Sequence, residues 1–254
     1  MKPTQTTGGR SRLDELLVRR GLFATRSRAR DAIERGTVTV GGMAATKPGL
    51  AVTDDAAIAV DDPARGYVSR AALKLIAGLD AFAVDPSGCT ALDIGASTGG
   101  FTQVLLERGA ARVVALDVGH GQLDPALRAD PRVTVIEGLN ARDLGEEHLG
   151  GRQPDLIVSD VSFISLTLAL PPALRLAAPG AIGIFLVKPQ FEAGREAIGK
   201  GGLLRDPDDA PRAAERLREW LDAVPGWSAT GLVASPIEGG DGNREFLLAG
   251  AKSK

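Results

Sequence analysis

The sequence predicts an α/β protein, in which a small N-terminal α+β domain precedes a mostly parallel, doubly wound sheet. From Thr90 onward, short apolar runs alternate with helical segments, and this order is typical of a parallel sheet with crossover helices. The start of the chain is different, because residues 1–47 contain ten Lys or Arg and only four Asp or Glu. The remaining residues hold 20 basic and 28 acidic side chains, so the two parts are expected to have different partners.

Composition excludes several classes of protein. The 254 residues are 44% hydrophobic and 24% charged, which is typical of a globular protein with a substantial core. The single cysteine, Cys89, rules out an internal disulfide and fits a reducing cytoplasm, and with only two histidines we expect no metal site. No secretory signal is visible, and the longest apolar run has seven residues, against about 20 for a membrane helix. We therefore expect a soluble, cytoplasmic monomer with no membrane partner.

The N-terminal domain is predicted over residues 1–62, and its first nine residues are expected to be disordered. A first helix is followed by a second, which begins with Thr25 as its cap and ends at Gly36. The segment "TVTV" then alternates as a strand and leads into a Gly41-Gly42 turn. The inner faces of the two helices are predicted to contain Leu13, Leu16, Leu17, Ala29, Ala32 and Ile33.

Basic side chains in this domain indicate a surface that binds a polyanion. The second helix has four arginines on or near its outer face, and a guanidinium group can donate two parallel hydrogen bonds to phosphate oxygens. A solvated charged face is the alternative explanation for a single basic helix. The predicted RNA-contacting residues are Arg12, Arg20, Arg26, Arg28, Arg30, Arg35 and Lys47, with Arg70 and Arg195 added from the second domain.

The pattern of this domain resembles the small ribosomal-protein RNA-binding module of the S-four type, which implies that the polyanion is RNA. One difference is Gly41, where many members have Asn, and we expect it to alter the turn more than the RNA surface. The resemblance depends on Arg12-Leu13-Asp14, Gly21, Ser27-Arg28, Ala32-Ile33, Gly36, Val38, Val40-Gly41-Gly42 and Lys47-Pro48-Gly49.

A linker rich in Asp, Pro and Gly is predicted over residues 63–68, and the second domain over residues 69–254. The helix "YVSRAALKL" precedes the first strand of this domain, and a second helix follows that strand with Phe101, Val104 and Leu105 pointing inward. The predicted strands are, in order, "TALDIG", "ARVVALDVG", "RVTVIEG", "PDLIVSD" and "AIGIFLVKP", and "GNREFLL" lies near the last strand.

The loop after the first of these strands reads Gly95-Ala96-Ser97-Thr98-Gly99-Gly100. A dinucleotide-binding loop needs the spacing G-x-G-x-x-G, and one of those glycines is missing here. Asp93 stands before the first glycine, where a carboxylate would repel a pyrophosphate but accept hydrogen bonds from an ammonium group. S-adenosylmethionine carries an ammonium group and no phosphate, so this cofactor fits the loop better.

Polar residues at the neighbouring strand ends agree with this cofactor. Asp117 ends the second strand, 24 residues after Asp93, and its carboxylate can accept both ribose hydroxyls. Asn140 and Asp143 follow the third strand, where a side chain can bind the adenine amino group. Ordinary turn residues are the alternative. The predicted cofactor-binding residues are Asp93, Gly95, Ala96, Ser97, Thr98, Gly99, Gly100, Phe101, Asp117, Val118, Asn140 and Asp143.

The sequence also restricts the methyl acceptor. Enzymes that methylate a base nitrogen often have an Asn-Pro-Pro-Tyr or Asp-Pro-Pro-Tyr loop after the fourth strand, but here that strand ends in "SDVSF". Enzymes that methylate carbon use a cysteine nucleophile, and Cys89 lies at the wrong end of its strand for this role. A hydroxyl acceptor needs help in losing its proton, and two ammonium groups placed close together favour loss of a proton from one of them. A structural ion-pair network is the alternative. The candidate catalytic residues are Lys74, Asp160, Lys188 and Glu245.

These four residues, in this order, resemble the catalytic tetrad of the FtsJ-like ribose 2′-O-methyltransferases. Those enzymes have a Rossmann-like sheet and use S-adenosylmethionine as the methyl donor. The resemblance implies that Lys188 takes or polarises the hydroxyl proton, and that Asp160 orients Lys188 and faces the methyl group. It also implies that Lys74 and Glu245 complete the network and hold the ribose.

More narrowly, six motifs are similar to the TlyA family, some of whose members are named haemolysins. This similarity implies an RNA-binding domain joined to a methyltransferase domain. It also implies 2′-O-methylation of cytidine in small-subunit rRNA, large-subunit rRNA or both. One departure is Ala71-Ala72, where glycines are common. The motifs are "YVSRAALKL", "DIGASTGGFTQVLL", "ALDVGHGQL", "SDVSFISL", "VKPQFEAGRE" and "DGNREFLL".

Two other functions stay open at this point. A non-catalytic RNA-binding protein would not need the four candidate catalytic residues. A membrane-lytic protein, suggested by the haemolysin name, would need an export signal or a membrane-active helix that the sequence does not display. The Gly-rich segment "EAGREAIGKGGLLRDP" is predicted to be a mobile flap over the RNA, with a plain surface loop as the alternative.

Overall fold

A computed structural model describes residues 9–240 and 242–254 of the chain, except for the side chain of Arg195. The chain divides into two compact units, one up to Gly66 and the other from Tyr67 to Lys254. The predicted linker over residues 63–68 spans this division. The predicted N-terminal disorder falls, apart from Gly9, outside the described residues.

The first unit packs two helices beside two small sheets. The six residues predicted for the inner faces of the helices are at most 1% exposed and form one apolar cluster. The helices and strands of this unit are β1 (Arg10–Arg12), α1 (Leu13–Arg19), α2 (Arg26–Glu34), β2 (Val38–Val40), β3 (Met43–Ala44), β4 (Ala51–Thr53) and β5 (Ile58–Val60).

Short local signals set the turns of this unit. Thr25 Oγ1 accepts a hydrogen bond from the Arg28 amide at 3.3 Å, so Thr25 caps α2 as predicted. Gly41 and Gly42 have φ angles of 58° and 80° and form the turn between β2 and β3, because a two-residue hairpin turn of this kind requires positive φ at both positions. Strand β2 pairs antiparallel with β3 and β5, and β1 pairs antiparallel with β4.

The second unit is a seven-stranded sheet with helices on both faces. Five short 3-10 turns connect its main elements at residues 141–143, 146–149, 189–191, 195–197 and 200–202. The main elements are α3 (Ala72–Ala81), β6 (Thr90–Ile94), α4 (Gly100–Glu107), β7 (Arg112–Asp117), α5 (Pro125–Ala129), β8 (Val133–Glu137), β9 (Leu156–Ser159), α6 (Leu166–Ala169), α7 (Pro171–Leu176), β10 (Ile182–Val187), α8 (Asp209–Asp222), β11 (Trp227–Ala234) and β12 (Phe246–Lys252).

The strand order across this sheet is β11-β12-β10-β9-β6-β7-β8. Strands β6 to β10 are parallel, whereas β12 is antiparallel to both β10 and β11. The order reverses beside β6, which lies between β9 and β7. In open sheets of this type, ligands bind in the crevice outside the carboxyl ends of the strands at that reversal. The predicted fold class, a doubly wound α/β sheet with a small N-terminal α+β domain, is confirmed.

The core lies on both faces of the sheet. Successive side chains of a strand point to opposite faces, so Leu92 and Ile94 of β6 pack with α6, α7 and α8, whereas Ala91 packs with α3 and α4. Asp93 alternates with the first two residues and therefore shares the face of Ala91, beside α4. In the described part of the chain, no helix has both the length and the hydrophobicity of a membrane span.

Candidate functional site

The register of the sheet brings three predicted residues to one edge. Ser159 at the end of β9 pairs with Ile94 of β6 and with Phe185 of β10. Val187 at the end of β10 pairs with Phe246 at the start of β12. Asp160, Lys188 and Glu245 each adjoin one of these paired positions, so they meet at the carboxyl edge of the parallel strands.

Lys188 interacts with the loop that follows β9. Its Nζ atom lies 2.6 Å from Asp160 Oδ1, in an ion-pair contact that is not aligned as a hydrogen bond. The same amine donates a hydrogen bond to Ser162 Oγ at 2.8 Å. The side chains of Lys188 and Asp160 are 12% and 16% exposed, so a solute can still reach them. We call Lys188–Asp160 the open pair.

Lys74 and Glu245 form a second, more deeply buried pair. Lys74 projects from α3, and its Nζ donates a short hydrogen bond to Glu245 Oε2. Their side chains are only 7% and 2% exposed. We call Lys74–Glu245 the closed pair. It ties α3 to the residue that precedes β12, and the two partners are 171 residues apart in sequence.

The glycines of the loop after β6 are required by close contacts. Gly95 has a φ of 83°, and a Cβ atom at this position would lie 2.7 Å from the Asp160 carbonyl oxygen. Gly99 has a φ of 101° and precedes α4, and a Cβ atom there would lie 2.4 Å from the Leu127 side chain. Larger residues would therefore move either the loop after β9 or α5. The loop is held tightly against both neighbours.

Asp93 is a fully buried carboxylate beneath this loop. Its Oδ2 atom accepts a hydrogen bond from Thr102 Oγ1 at 2.7 Å, and its Oδ1 atom is buried with no hydrogen-bond partner among the described residues. Burial and, to a smaller extent, the nearby Asp160 carboxylate raise the pKa of Asp93 to about 7, although the hydrogen bond from Thr102 opposes this effect. The charged form of Asp93 therefore needs a positively charged or hydrogen-donating partner.

The predicted residues on β7 and beyond lie at adjoining strand ends. Asp117 accepts hydrogen bonds from the amides of Ser97, at 2.8 Å, and Gly119, at 2.7 Å. Val118 is 66% exposed, which is unusual for a valine that directly follows a buried strand. Asn140 caps a 3-10 turn after β8, and Asp143, the last residue of that turn, is exposed. Ala96, Thr98, Gly100 and Phe101 complete the predicted set in the loop and the first turn of α4.

Sequence reasoning did not single out Phe163, which lies close to the open pair. Its side chain is 91% exposed, and its φ of 64° is an uncommon conformation for a bulky residue. Its ring contacts that of Phe191 with the centroids 5.2 Å apart. An exposed aromatic ring in such a turn, beside polar site residues, is a candidate ligand contact. Only its place three residues after Asp160 could have identified it from the sequence.

Glu192 holds the loop after β9 in place, and sequence reasoning did not single it out either. Its carboxylate accepts hydrogen bonds from Ser165 Oγ at 2.6 Å and from the Leu166 amide at 2.9 Å. Burial raises the pKa of Glu192, although these two hydrogen bonds oppose the effect. Glu192 therefore connects the turn after β10 to the first turn of α6.

The Gly-rich segment that was predicted as a flap makes internal hydrogen bonds. The Gly199 amide donates to the Leu203 carbonyl at 2.7 Å, and the side chain of Asn243 donates to the Gly202 carbonyl at 2.9 Å. Asn243 is only 4% exposed and lies two residues before Glu245. The mobility of this segment stays a prediction, and the side chain of Arg195 lies outside the described part.

In the first unit, buried Asp14 binds two of the predicted RNA-contacting arginines. Arg12 Nε lies 3.0 Å from one carboxylate oxygen and Arg26 Nη2 lies 3.1 Å from the other. These two hydrogen bonds keep the pKa of Asp14 below its usual value, against the effect of burial. About half of each arginine side chain remains exposed. Asp14 therefore fixes the two guanidinium groups in place at the surface.

The other predicted basic residues are held to different degrees. Arg35 is paired with both Asp31 and Asp62, and its side chain is only 17% exposed, so its guanidinium is largely occupied. Arg30 and Lys47 have no side-chain partner among the residues that the structure describes. Arg20 donates hydrogen bonds to the backbone carbonyls of Asp54 and Ala56, and Arg28 donates to those of Ala64 and Arg65. In the second unit, Arg70 lies near Gly240.

Comparisons with known families match both units. Residues 67–252 match the FtsJ-like methyltransferase family, and residues 11–58 match the S4 domain. Hemolysin A of Brachyspira hyodysenteriae is 40% identical over 93% of this chain and 98% of its own length. A Streptococcus thermophilus structure with a provisional haemolysin name has a TM-score of 0.75 and 40% identity, and the match covers 96% of this chain and 89% of that chain.

A further relative is more similar in sequence. The Mycobacterium tuberculosis protein named 16S/23S rRNA (cytidine-2′-O)-methyltransferase TlyA is 49% identical over 240 residues, which cover 94% of this chain and 89% of the relative. The resemblances to the S-four-type module, to the FtsJ-like methyltransferases and to the TlyA family are thus confirmed. The chain belongs to the FtsJ-like methyltransferase family and, within that family, to the TlyA group.

Proposed function

We propose that this protein transfers the methyl group of S-adenosylmethionine to the 2′-hydroxyl of a cytidine in ribosomal RNA. The observation that carries this proposal is the open pair, an accessible amine beside a carboxylate at the carboxyl edge of the sheet, next to the loop after β6. The M. tuberculosis relative is named for both 16S and 23S rRNA, so RNA of either ribosomal subunit is a candidate substrate. We also propose that the protein acts as a monomer in the cytoplasm.

The residues around the loop after β6 suit S-adenosylmethionine. When bound, this cofactor supplies an activated methyl group on a sulfonium centre. Oδ1 of Asp93 has no hydrogen-bond partner among the described residues, and the ammonium group of the cofactor's amino-acid part can supply a positively charged one. Each oxygen of Asp117 accepts one backbone hydrogen bond and keeps a lone pair for a ribose hydroxyl. We assign Val118, Asn140 and Asp143 to the adenine.

The open pair suits a hydroxyl acceptor. In its uncharged form Lys188 can accept the 2′-hydroxyl proton, so that the ribose O–H bond breaks, an N–H bond forms, and the oxygen becomes nucleophilic. Asp160 then stabilises the ammonium group that results. The closed pair fixes α3 and the start of β12 beside this reaction site. The protein contributes mainly alignment and proton removal, because the donor is already activated.

We assign RNA binding to the first unit and to Phe163. Asp14 holds Arg12 and Arg26 in fixed positions, which lowers the entropy lost when they bind phosphate. Arg30 adds a guanidinium without an intramolecular partner among the described residues. The exposed ring of Phe163 suits stacking on an unpaired base beside the acceptor ribose, since any base presents a π-face.

The test is transfer of labelled methyl groups to purified small and large ribosomal subunits that lack the modification, followed by mapping of the modified nucleotide. We expect one 2′-O-methylcytidine in at least one subunit. Methylation on a base rather than a ribose, or no methylation of either subunit, would refute the proposal. The same preparation can be tested for lysis of red blood cells, since a relative carries the haemolysin name; we expect no lysis.

A further inference from the structure

We propose that Ser162 is a positioning residue for the reacting amine of Lys188. This inference rests on the proposed function, because it concerns how Lys188 is prepared to accept the hydroxyl proton. Ser162 Oγ accepts a hydrogen bond from Lys188 Nζ at 2.8 Å. No other aligned hydrogen bond of this amine is made within the described residues, since the contact with Asp160 at 2.6 Å is not aligned. Ser162 is therefore the group that fixes the direction of the amine.

The number of hydrogens on the amine explains why such a residue is useful. An uncharged amine has two N–H bonds and one lone pair. If Ser162 accepts one hydrogen and the Asp160 carboxylate attracts the other, the lone pair points away from both oxygens. A hydroxyl proton can then approach the lone pair without competition from the protein. Without Ser162, the amine could rotate about its terminal bond and turn an N–H towards the substrate.

Contacts made by the loop after β9 hold Ser162 in place. The next residue, Phe163, has a φ of 64°, a strained conformation that bulky residues rarely adopt. Two contacts on the other side of the turn maintain it. Glu192 binds Ser165 Oγ and the Leu166 amide, and the rings of Phe163 and Phe191 touch. The strain is therefore stabilised by the surrounding residues, as expected where a backbone conformation serves a site.

Several charged groups lie on the elements next to Lys188. Asp160 follows β9, Asp93 lies on β6, the closed pair joins α3 to β12, and Glu192 lies on the same turn as Lys188. None of them forms a hydrogen bond with Ser162. A Ser162→Ala variant therefore removes one neutral hydrogen-bond acceptor and leaves these charges in place.

The experiment measures kcat, KM for the ribosomal subunit and cofactor affinity of the full-length protein. For Ser162→Ala we expect kcat to fall roughly 10- to 100-fold, with KM and cofactor affinity unchanged. Ser162→Thr, which keeps the hydroxyl, should restore most of kcat.

Two controls separate positioning from general damage. Ser228→Ala removes an exposed serine hydroxyl on β11 and should change none of these quantities. Ser165→Ala removes a hydrogen bond to Glu192 that helps to maintain the turn, so it should lower thermal stability and should lower kcat less than Ser162→Ala does. An active wild type together with a Ser162→Ala variant of unchanged kcat would overturn this inference alone. A change confined to KM or cofactor affinity would also overturn it. A wild type without methyl transfer would instead refute the proposed function.

Discussion

The closed and open pairs contain the same chemical groups at the same edge of the sheet, but they differ in access to solvent. The side chains of Lys74 and Glu245 are 7% and 2% exposed, against 12% and 16% for Lys188 and Asp160. In the open pair, Lys188 also donates a hydrogen bond to Ser162 in the loop after β9. A buried pair is costly to break, whereas a pair with an accessible amine can exchange a proton with a substrate. The difference supports the proposal that the open pair reacts with the substrate and that the closed pair fixes the site.

Removing the amine of the open pair should have the largest effect on activity. For Lys188→Ala we expect methyl transfer to fall roughly 10²- to 10⁴-fold, since a general base is lost, while cofactor affinity is retained. Single-turnover methylation and calorimetry measure the two quantities. Lys188→Arg is the matched control, because it keeps a positive charge beside Asp160 but has no group that accepts a proton. Near-normal turnover of the arginine variant would rule out proton removal by Lys188.

Breaking the closed pair should have the largest effect on stability. Lys74→Ala leaves the Glu245 carboxylate buried and unpaired, so we expect a loss of about 3–5 kcal/mol. Both tryptophans, Trp220 and Trp227, belong to the second unit, so the fluorescence of the full chain in urea reports on that unit.

The double variant Lys74→Met/Glu245→Leu is the control for this effect. Replacing both charges with apolar groups should recover much of the lost stability. Lys188→Ala should cost clearly less than Lys74→Ala, because Asp160 remains partly solvated. Equal losses for Lys74→Ala and Lys188→Ala would contradict the distinction between a closed and an open pair.

Asp93 differs from the carboxylates of the closed and open pairs, because it is buried without a lysine partner among the described residues. Its pKa in the folded protein is about 7, above the usual value, so the folded state binds a proton that the unfolded state releases. Asp93 therefore lowers the stability of the cofactor-free protein as the pH rises from about 4 to 7. A bound ammonium group should favour the charged form, so cofactor binding near pH 6 should release a proton and should weaken as the pH falls.

Calorimetry at pH 6 in two buffers of different ionisation enthalpy measures this proton release. Asp93→Asn should abolish the release, weaken cofactor binding and raise the stability of the cofactor-free protein at pH 8. Asp117→Asn is the control, since it also weakens the cofactor site but should leave the proton release intact. Proton release that persists in the Asp93→Asn variant would assign it to another group.

The smallest effect is expected at Phe163, beside the open pair. Stacking of a base on an aromatic ring contributes about 1–3 kcal/mol, so Phe163→Ala should lower kcat/KM for the RNA roughly tenfold. Folding stability should hardly change, because the ring is 91% exposed. Leu168→Ala, at a 56% exposed residue of α6, is the matched control and should leave kcat/KM unaffected. Equal effects of the two variants would indicate a nonspecific apolar surface rather than a base contact.

Much of the fold follows from patterns that are local in sequence. The apolar runs predicted strands β6 to β10, and the carboxyl ends of parallel strands necessarily share an edge, so Asp93 and Asp117 were predicted to line one cofactor site. The pairing of β1 with β4 was not predicted. Each of these strands has three residues, too few for a periodic signal, and their pairing depends on contacts across about 40 residues of chain.

Helix α8 was not assigned, although its pattern is regular. Its buried residues, Ala210, Ala213, Ala214, Leu217 and Leu221, recur at helical spacing opposite a strongly charged face, so this helix could have been predicted from the sequence. The contacts of Ser162 and the exposure of Phe163 could not be read from the sequence at all. They depend on a positive φ at a phenylalanine, and local propensity argues against that conformation.

The backbone of Gly95 presses on the carbonyl of Asp160, with no room for even one methyl group between them. The loop after β6 and the loop after β9 therefore cannot move independently at this point. A redesign that places a larger residue at Gly95 would displace Asp160, so an engineer would have to rebuild both loops together.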